Sequence, residues 1–61
     1  MTVRVLLPGP FEGKLGTVVR RSASGGLWVR FAEWPVGEPD EFAGEQWFER
    51  YEVEEVMEAA A

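Results

Sequence analysis

The stretch PGPFEGKLGTVV, residues 8–19, sets three glycines and two prolines around a single lysine, Lys14. Read as a phosphate-cradling loop, it would make the chain an enzyme. Read as a tight turn feeding a strand, it would make a small binding module. A phosphate loop needs Gly, four residues, Gly, Lys and then Ser or Thr, because backbone N–H groups wrap the phosphates and the hydroxyl holds Mg²⁺. Here Leu15 follows Gly13-Lys14, and Pro8 stands where the first glycine belongs. The residues that follow, LGTVVRR (15–21), are β-branched and read as a strand, so no helix N-terminus faces the loop. The stretch is therefore a strand-to-strand turn, and Gly9, Gly13 and Gly16 are its turn residues, with Gly16 expected at positive φ or at a close backbone approach.

Working outward, TVRVLL (2–7) alternates Val3, Val5 and Leu7 with Thr2, Arg4 and Leu6, the period of a half-buried strand. After LGTVVRR, the polar, glycine-rich SASGG (22–26) reads as a hairpin connection. LWVRFAEW (27–34) gives a third strand, with Leu27, Val29 and Phe31 inward and Trp28 and Arg30 outward. Two prolines and two glycines in PVGEPDEFAGE (35–45) make a long hairpin loop, onto which Trp34 and Phe42 are expected to pin. QWFER (46–50) is a fourth strand in which Trp47 and Phe48 must point to opposite faces, and Trp47 is taken as the outer one. In YEVEEVMEAAA (51–61), Val53, Val56, Met57 and Ala60 fit a short C-terminal helix. A turn at 50–53 followed by a strand through Val56 is preferred, since four strands leave an open edge that needs a partner.

The expected fold is all-β, one small five-stranded domain over residues 1–61. A chain of 61 residues has room for one core. It has neither Cys nor His, which removes disulfides, zinc fingers and haem ligation, so packing must supply the stability. An apolar fraction of 46%, with three Trp and four Phe, is enough to build that core. No run of about 18 apolar residues and no basic-then-apolar leader is seen, so the expected location is cytoplasmic.

The stretch VRVLLPGPFEGKLGTVVRR resembles a KOW motif, the strand-loop-strand unit of transcription elongation factors of the NusG type and of several ribosomal proteins. The likeness covers about residues 3–31, and WFERYEVEEV is similar to the last part of small SH3-like barrels. The resemblance implies a five-stranded SH3-like barrel in which Gly16 is the motif's glycine. It also implies a partner in the transcription or translation machinery.

The net charge of −5 is unevenly spread: residues 1–31 carry +4 and residues 32–61 carry −9. Trp28 and Trp47, on neighbouring strands, with Arg30 beside them, make an outer aromatic face of the kind enriched in binding hot spots. The acids Glu38, Asp40, Glu41 and Glu45 suit a basic partner surface. Calcium loops need tighter ligand alternation, so no metal is expected. Lys14, Arg20, Arg21 and Arg30 with Trp28 offer a second reading, an RNA- or DNA-binding surface. A third is an acidic mimic of nucleic acid that occupies a basic cleft on a polymerase or ribosome. Catalysis lacks material: Ser22, Ser24, Thr2 and Thr17 have no base at motif spacing. The expectation is a non-catalytic protein-binding module without cofactor, small-molecule substrate or membrane contact.

Overall fold

Alternation in the sequence builds the strands, and glycine and proline end them. The computed structural model describes residues 1–56. It contains β1 (Thr2–Val5), β2 (Leu15–Arg21), β3 (Leu27–Arg30), β4 (Glu45–Phe48) and β5 (Val53–Val56), with a single 3₁₀ turn, Arg50–Glu52, before β5. All neighbours pair antiparallel in one sheet of order β4-β3-β2-β1-β5. The expected all-β, five-stranded class is the one observed. The sheet is not hydrogen-bonded into a closed barrel, because β4 and β5 remain its two edges. With no helix layer among the described residues, the sheet buries one face against its own loops and curved ends. Val3, Val5, Phe11, Leu27, Val29, Phe31, Phe48 and Val53 form that single core.

The opening stretch supplies part of the core from a loop. Gly9 (φ 143°) and Gly13 (φ 79°) take conformations that a Cβ would strain. The turn closes through Glu12 N–H to the Gly9 carbonyl (3.1 Å) and Lys14 N–H to the Phe11 carbonyl (3.0 Å). This folds Phe11 back onto Phe31, Trp34 and Phe48, with ring centroids 4.9, 5.1 and 5.8 Å away. Gly16 departs from one of the two reasons expected for it. It has no positive φ. It is required because it lies in β2 facing the core, where a Cβ would overlap Val29 Cγ1 and come within 2.9 Å of the Arg30 carbonyl oxygen.

Some boundaries move from their expected places. β1 ends at Val5, the last residue to bond the β2 side, through the Lys14 carbonyl and the Gly13 N–H; on the other side the Leu6 N–H carries the β1–β5 register one step further, to the Glu52 carbonyl (2.8 Å), tying the 3₁₀ turn to the sheet. β3 ends at Arg30 rather than Trp34, and only Phe31 makes one more bond, to the Gly44 carbonyl (3.0 Å), before Pro35. Over residues 50–56 the turn-then-strand form is the one present, which removes the alternative helix there; its remainder, residues 57–61, lies outside the described residues.

β2 contains an irregularity that the alternation alone does not reveal. Its register with β3 shifts between Val18 and Arg20, leaving Val19 as an extra residue. A bulge of this kind reverses the facing of everything beyond it. Arg20 is thereby opposite Trp28 on the outer face, and Arg21 is opposite Leu27 on the core side.

Candidate protein-docking face

The outer face of β2, β3 and β4 carries a row of three large side chains. Arg20 pairs across from Trp28, and Trp28 pairs across from Trp47. Directly opposed residues in antiparallel strands share a face and touch. The expected Trp28–Trp47 juxtaposition is present, and Phe48, 2% exposed, is the inward member of the Trp47–Phe48 pair. Both tryptophans are half-buried. The Arg20 guanidinium lies 5.0 Å from the Trp28 ring centroid, a cation–π contact. From the long loop, Phe42 meets Trp28 edge-on at 5.2 Å while remaining 52% exposed. Trp47 is seated over Gly26, where a Cβ would overlap its indole ring.

Beneath this row lies a residue whose role differs from the one expected. Glu45 reads in sequence as one more acid for a basic partner. It is instead nearly buried, and its carboxylate accepts from Arg20 Nη2 at 2.8 Å and Arg30 Nη2 at 3.0 Å. Both arginines remain mostly exposed, with side chains 61% and 60% accessible. The Arg30 hydrogen bond holds the Glu45 carboxyl below its ordinary value, desolvation opposes this, and Arg20 adds to the lowering. Arg30 directly faces Glu45 in the ladder, so the clamp is set by register. Glu45 bridges β2 to β4 across β3 and keeps the Arg20 side chain over Trp28.

The long loop carries exposed acids and the Phe42 that reaches Trp28. Trp34 packs on Phe11 and donates from Nε1 to the Glu38 carbonyl at 3.0 Å, so it pins the loop as expected. Asp40 Oδ1 accepts from the Gly44 N–H at 2.6 Å. That bond closes a turn in which Ala43 (φ 54°) and Gly44 (φ 83°) are both left-handed. Glu38, Asp40 and Glu41 are exposed, and Phe42, next in the chain, rests on Trp28.

The four cations of the nucleic-acid reading do not share one surface. Arg20 and Arg30 are on the outer face, each bound to Glu45. Arg21 is on the core side, and Lys14 belongs to the β1–β2 turn, beside a hollow shared with Leu15, Ala32 and Glu33. Of the hydroxyls, Ser22 accepts from the Gly26 N–H at 3.0 Å and lies 2.9 Å from Ser24, which closes the β2–β3 hairpin. Among the described residues, no group of three His, Cys, Asp or Glu side chains is placed to hold a metal ion. No helix there is long and apolar enough to cross a membrane. Comparison with family models, with curated proteins and with solved structures found no match to this chain.

Proposed function

We propose that the chain is a non-catalytic protein-binding module that engages a basic surface of its partner. The observation that carries this reading is the half-buried Trp28–Trp47 pair, flanked by the exposed ring of Phe42 and by the acids of its loop. Aromatic side chains with one face wet and one face packed supply most of the energy in interfaces, and they need little further ordering on binding. Glu38, Asp40 and Glu41, exposed on the loop that carries Phe42, provide the charge that orients a basic partner and speeds encounter. Arg30 adds a donor whose position is held by Glu45. The KOW resemblance of residues 3–31 is what points to a partner in the transcription or translation machinery, with a cytoplasmic location.

Direct RNA or DNA binding has less support. Phosphate contacts gain from cations gathered along one surface. Here Arg20 and Arg30 already serve a carboxylate, and Arg21 and Lys14 lie elsewhere.

The test is affinity capture from a lysate of the source cell, with and without nuclease, using the native chain and a Glu38→Gln/Glu41→Gln variant. The expected result is a protein retained despite nuclease, released as salt rises, and weakened in the variant. Retention that vanishes with nuclease would transfer the reading to nucleic acid.

A further inference from the structure

The bulge in β2 leaves Arg21 in a place where an arginine is unusual, on the core side of the sheet opposite Leu27. The side chain borders a cavity of about 140 Å³, whose other walls include Arg50 from the 3₁₀ turn, Glu55 of β5 and the apolar side chains of Val3, Leu27 and Val53. Arg4, Arg20 and Arg30 are bound to Glu54 or Glu45, whereas neither Arg21 nor Arg50 has an ion pair among the described residues. Two guanidinium groups from different elements therefore border one small hollow with an apolar floor. This hollow opens on the core side of the sheet, whereas the aromatic patch is on the outer face, so the two readings stand or fall separately.

We infer that this cavity binds a carboxylate borne on a short aliphatic chain, its oxygens taken by Arg21 and Arg50 and its stem laid on Val3, Leu27 and Val53. The guanidinium fork matches a carboxylate through two parallel hydrogen bonds, which is the pairing arginine makes best. The volume fixes the size. It is room for about four to five waters at about 30 Å³ each, well below the range of drug-sized ligand pockets. A short fatty acid or the C-terminal residue of an aliphatic-ended peptide fits; a nucleotide does not. Glu55 offsets one of the two guanidinium charges, and the cavity wall, which Met1 also borders, stays net positive. A carboxylate brings one negative charge to the two guanidinium groups, while a phosphate dianion brings a second toward Glu55 and has no stem to lay on the apolar side chains.

The experiment is an NMR titration of the full chain, following backbone amides and arginine Nε–H signals. Sodium butyrate, a short peptide ending in a free valine carboxylate, the same peptide amidated, sodium phosphate and sodium chloride are added in separate series. The expected result is a saturable shift confined to Arg21, Arg50, Val3, Leu27 and Val53 with butyrate, with the free-acid peptide, or with both. Which of the two binds more tightly identifies the source of the carboxylate. The amidated peptide, phosphate and chloride should leave those signals in place. Arg21→Gln and Arg50→Gln should each weaken binding by about tenfold or more, the scale of a lost charge-assisted hydrogen bond, and Lys14→Gln should leave it unchanged. Spectral dispersion shows whether each variant is folded, and if Arg21→Gln is not, Arg50→Gln alone decides. Absence of a saturable shift with either carboxylate, equal shifts with chloride or phosphate, or unaltered binding in folded Arg50→Gln would each overturn the inference.

Discussion

Replacing Gly16 by alanine adds one methyl group where β2 packs closely on β3. That Cβ would overlap Cγ1 of Val29, which is fully buried, and stand 2.9 Å from the Arg30 carbonyl oxygen and 3.1 Å from Phe31 Cδ1. Neither wall can yield cheaply. The carbonyl belongs to the last residue of β3, and Phe31 is held by Phe11 at 4.9 Å and Phe48 at 6.0 Å. Overpacking of this kind costs about 1–3 kcal/mol. A domain of 61 residues has about 3–9 kcal/mol of stability in all, at about 0.05–0.15 kcal/mol per residue. At about 4–8 °C per kcal/mol, a loss of about 2 kcal/mol lowers the melting temperature by about 8–16 °C. Thermal unfolding followed by tryptophan fluorescence measures it, with Leu15→Ala as the neighbouring outward control, since Leu15 is 53% exposed. Gly16→Ala melting within about 2 °C of the native chain would refute the close packing of β2 on β3 described here, because even about 1 kcal/mol should shift it further.

Glu45→Gln removes the charge that Arg20 and Arg30 share. Because the folded carboxyl lies below its usual 4.5, its stabilisation is complete above that value and is lost as pH falls through the folded pKa. A pH series of melts should show the variant less stable at neutral pH, and its deficit should shrink in acid below 4.5. Phe42→Ala should lower stability by about 0.5–1.5 kcal/mol through the lost edge contact and should shift the Trp28 indole N–H signal in NMR spectra. Gly26→Ala should displace the Trp47 ring, seen as a change in its indole signal, and weaken partner capture while the core signals of Val3 and Val29 hold.

What the sequence makes legible follows from which interactions are local. Val3, Val5, Leu27, Val29 and Phe31 are readable as inward because strand alternation depends only on neighbours in the chain, and all five are buried; Leu7, which the same alternation groups with Val3 and Val5, is 42% exposed because β1 ends at Val5. The outward pairing of Trp28 with Trp47 is readable for the same reason, once the hairpin between β3 and β4 is accepted. The opposite facing of Arg20 and Arg21 is not. Alternation from Gly16 would put Arg20 inward and Arg21 outward, and the bulge at Val19 that reverses them carries no glycine or proline to announce it. Glu45 is equally silent, because its burial depends on Arg20, 25 residues away in sequence. The Arg30–Glu45 register pair carries a partial signal, since opposite charges directly across a ladder are a common stabilising pair. Gly16 is legible as a position that calls for glycine, and of the two reasons the sequence leaves open, positive φ and close approach, the structure has the second, against β3.

The central claim, that the outer aromatic face binds a partner protein, is tested most directly by Trp28→Ser beside Leu27→Ser. These adjacent residues lie on opposite faces of β3, one half-buried against Arg20 and Phe42 and the other 5% exposed in the core. Melting temperature and nuclease-resistant partner capture are measured for both. Trp28→Ser should remain folded, losing about 1–2 kcal/mol with its cation–π and edge contacts, and its capture should fall about thirtyfold or more, as for a hot-spot tryptophan worth at least about 2 kcal/mol. Leu27→Ser should lose a larger share of the stability, about 2–5 kcal/mol. A folded Trp28→Ser that captures its partner as well as the native chain, or one that unfolds as badly as Leu27→Ser, would contradict the account.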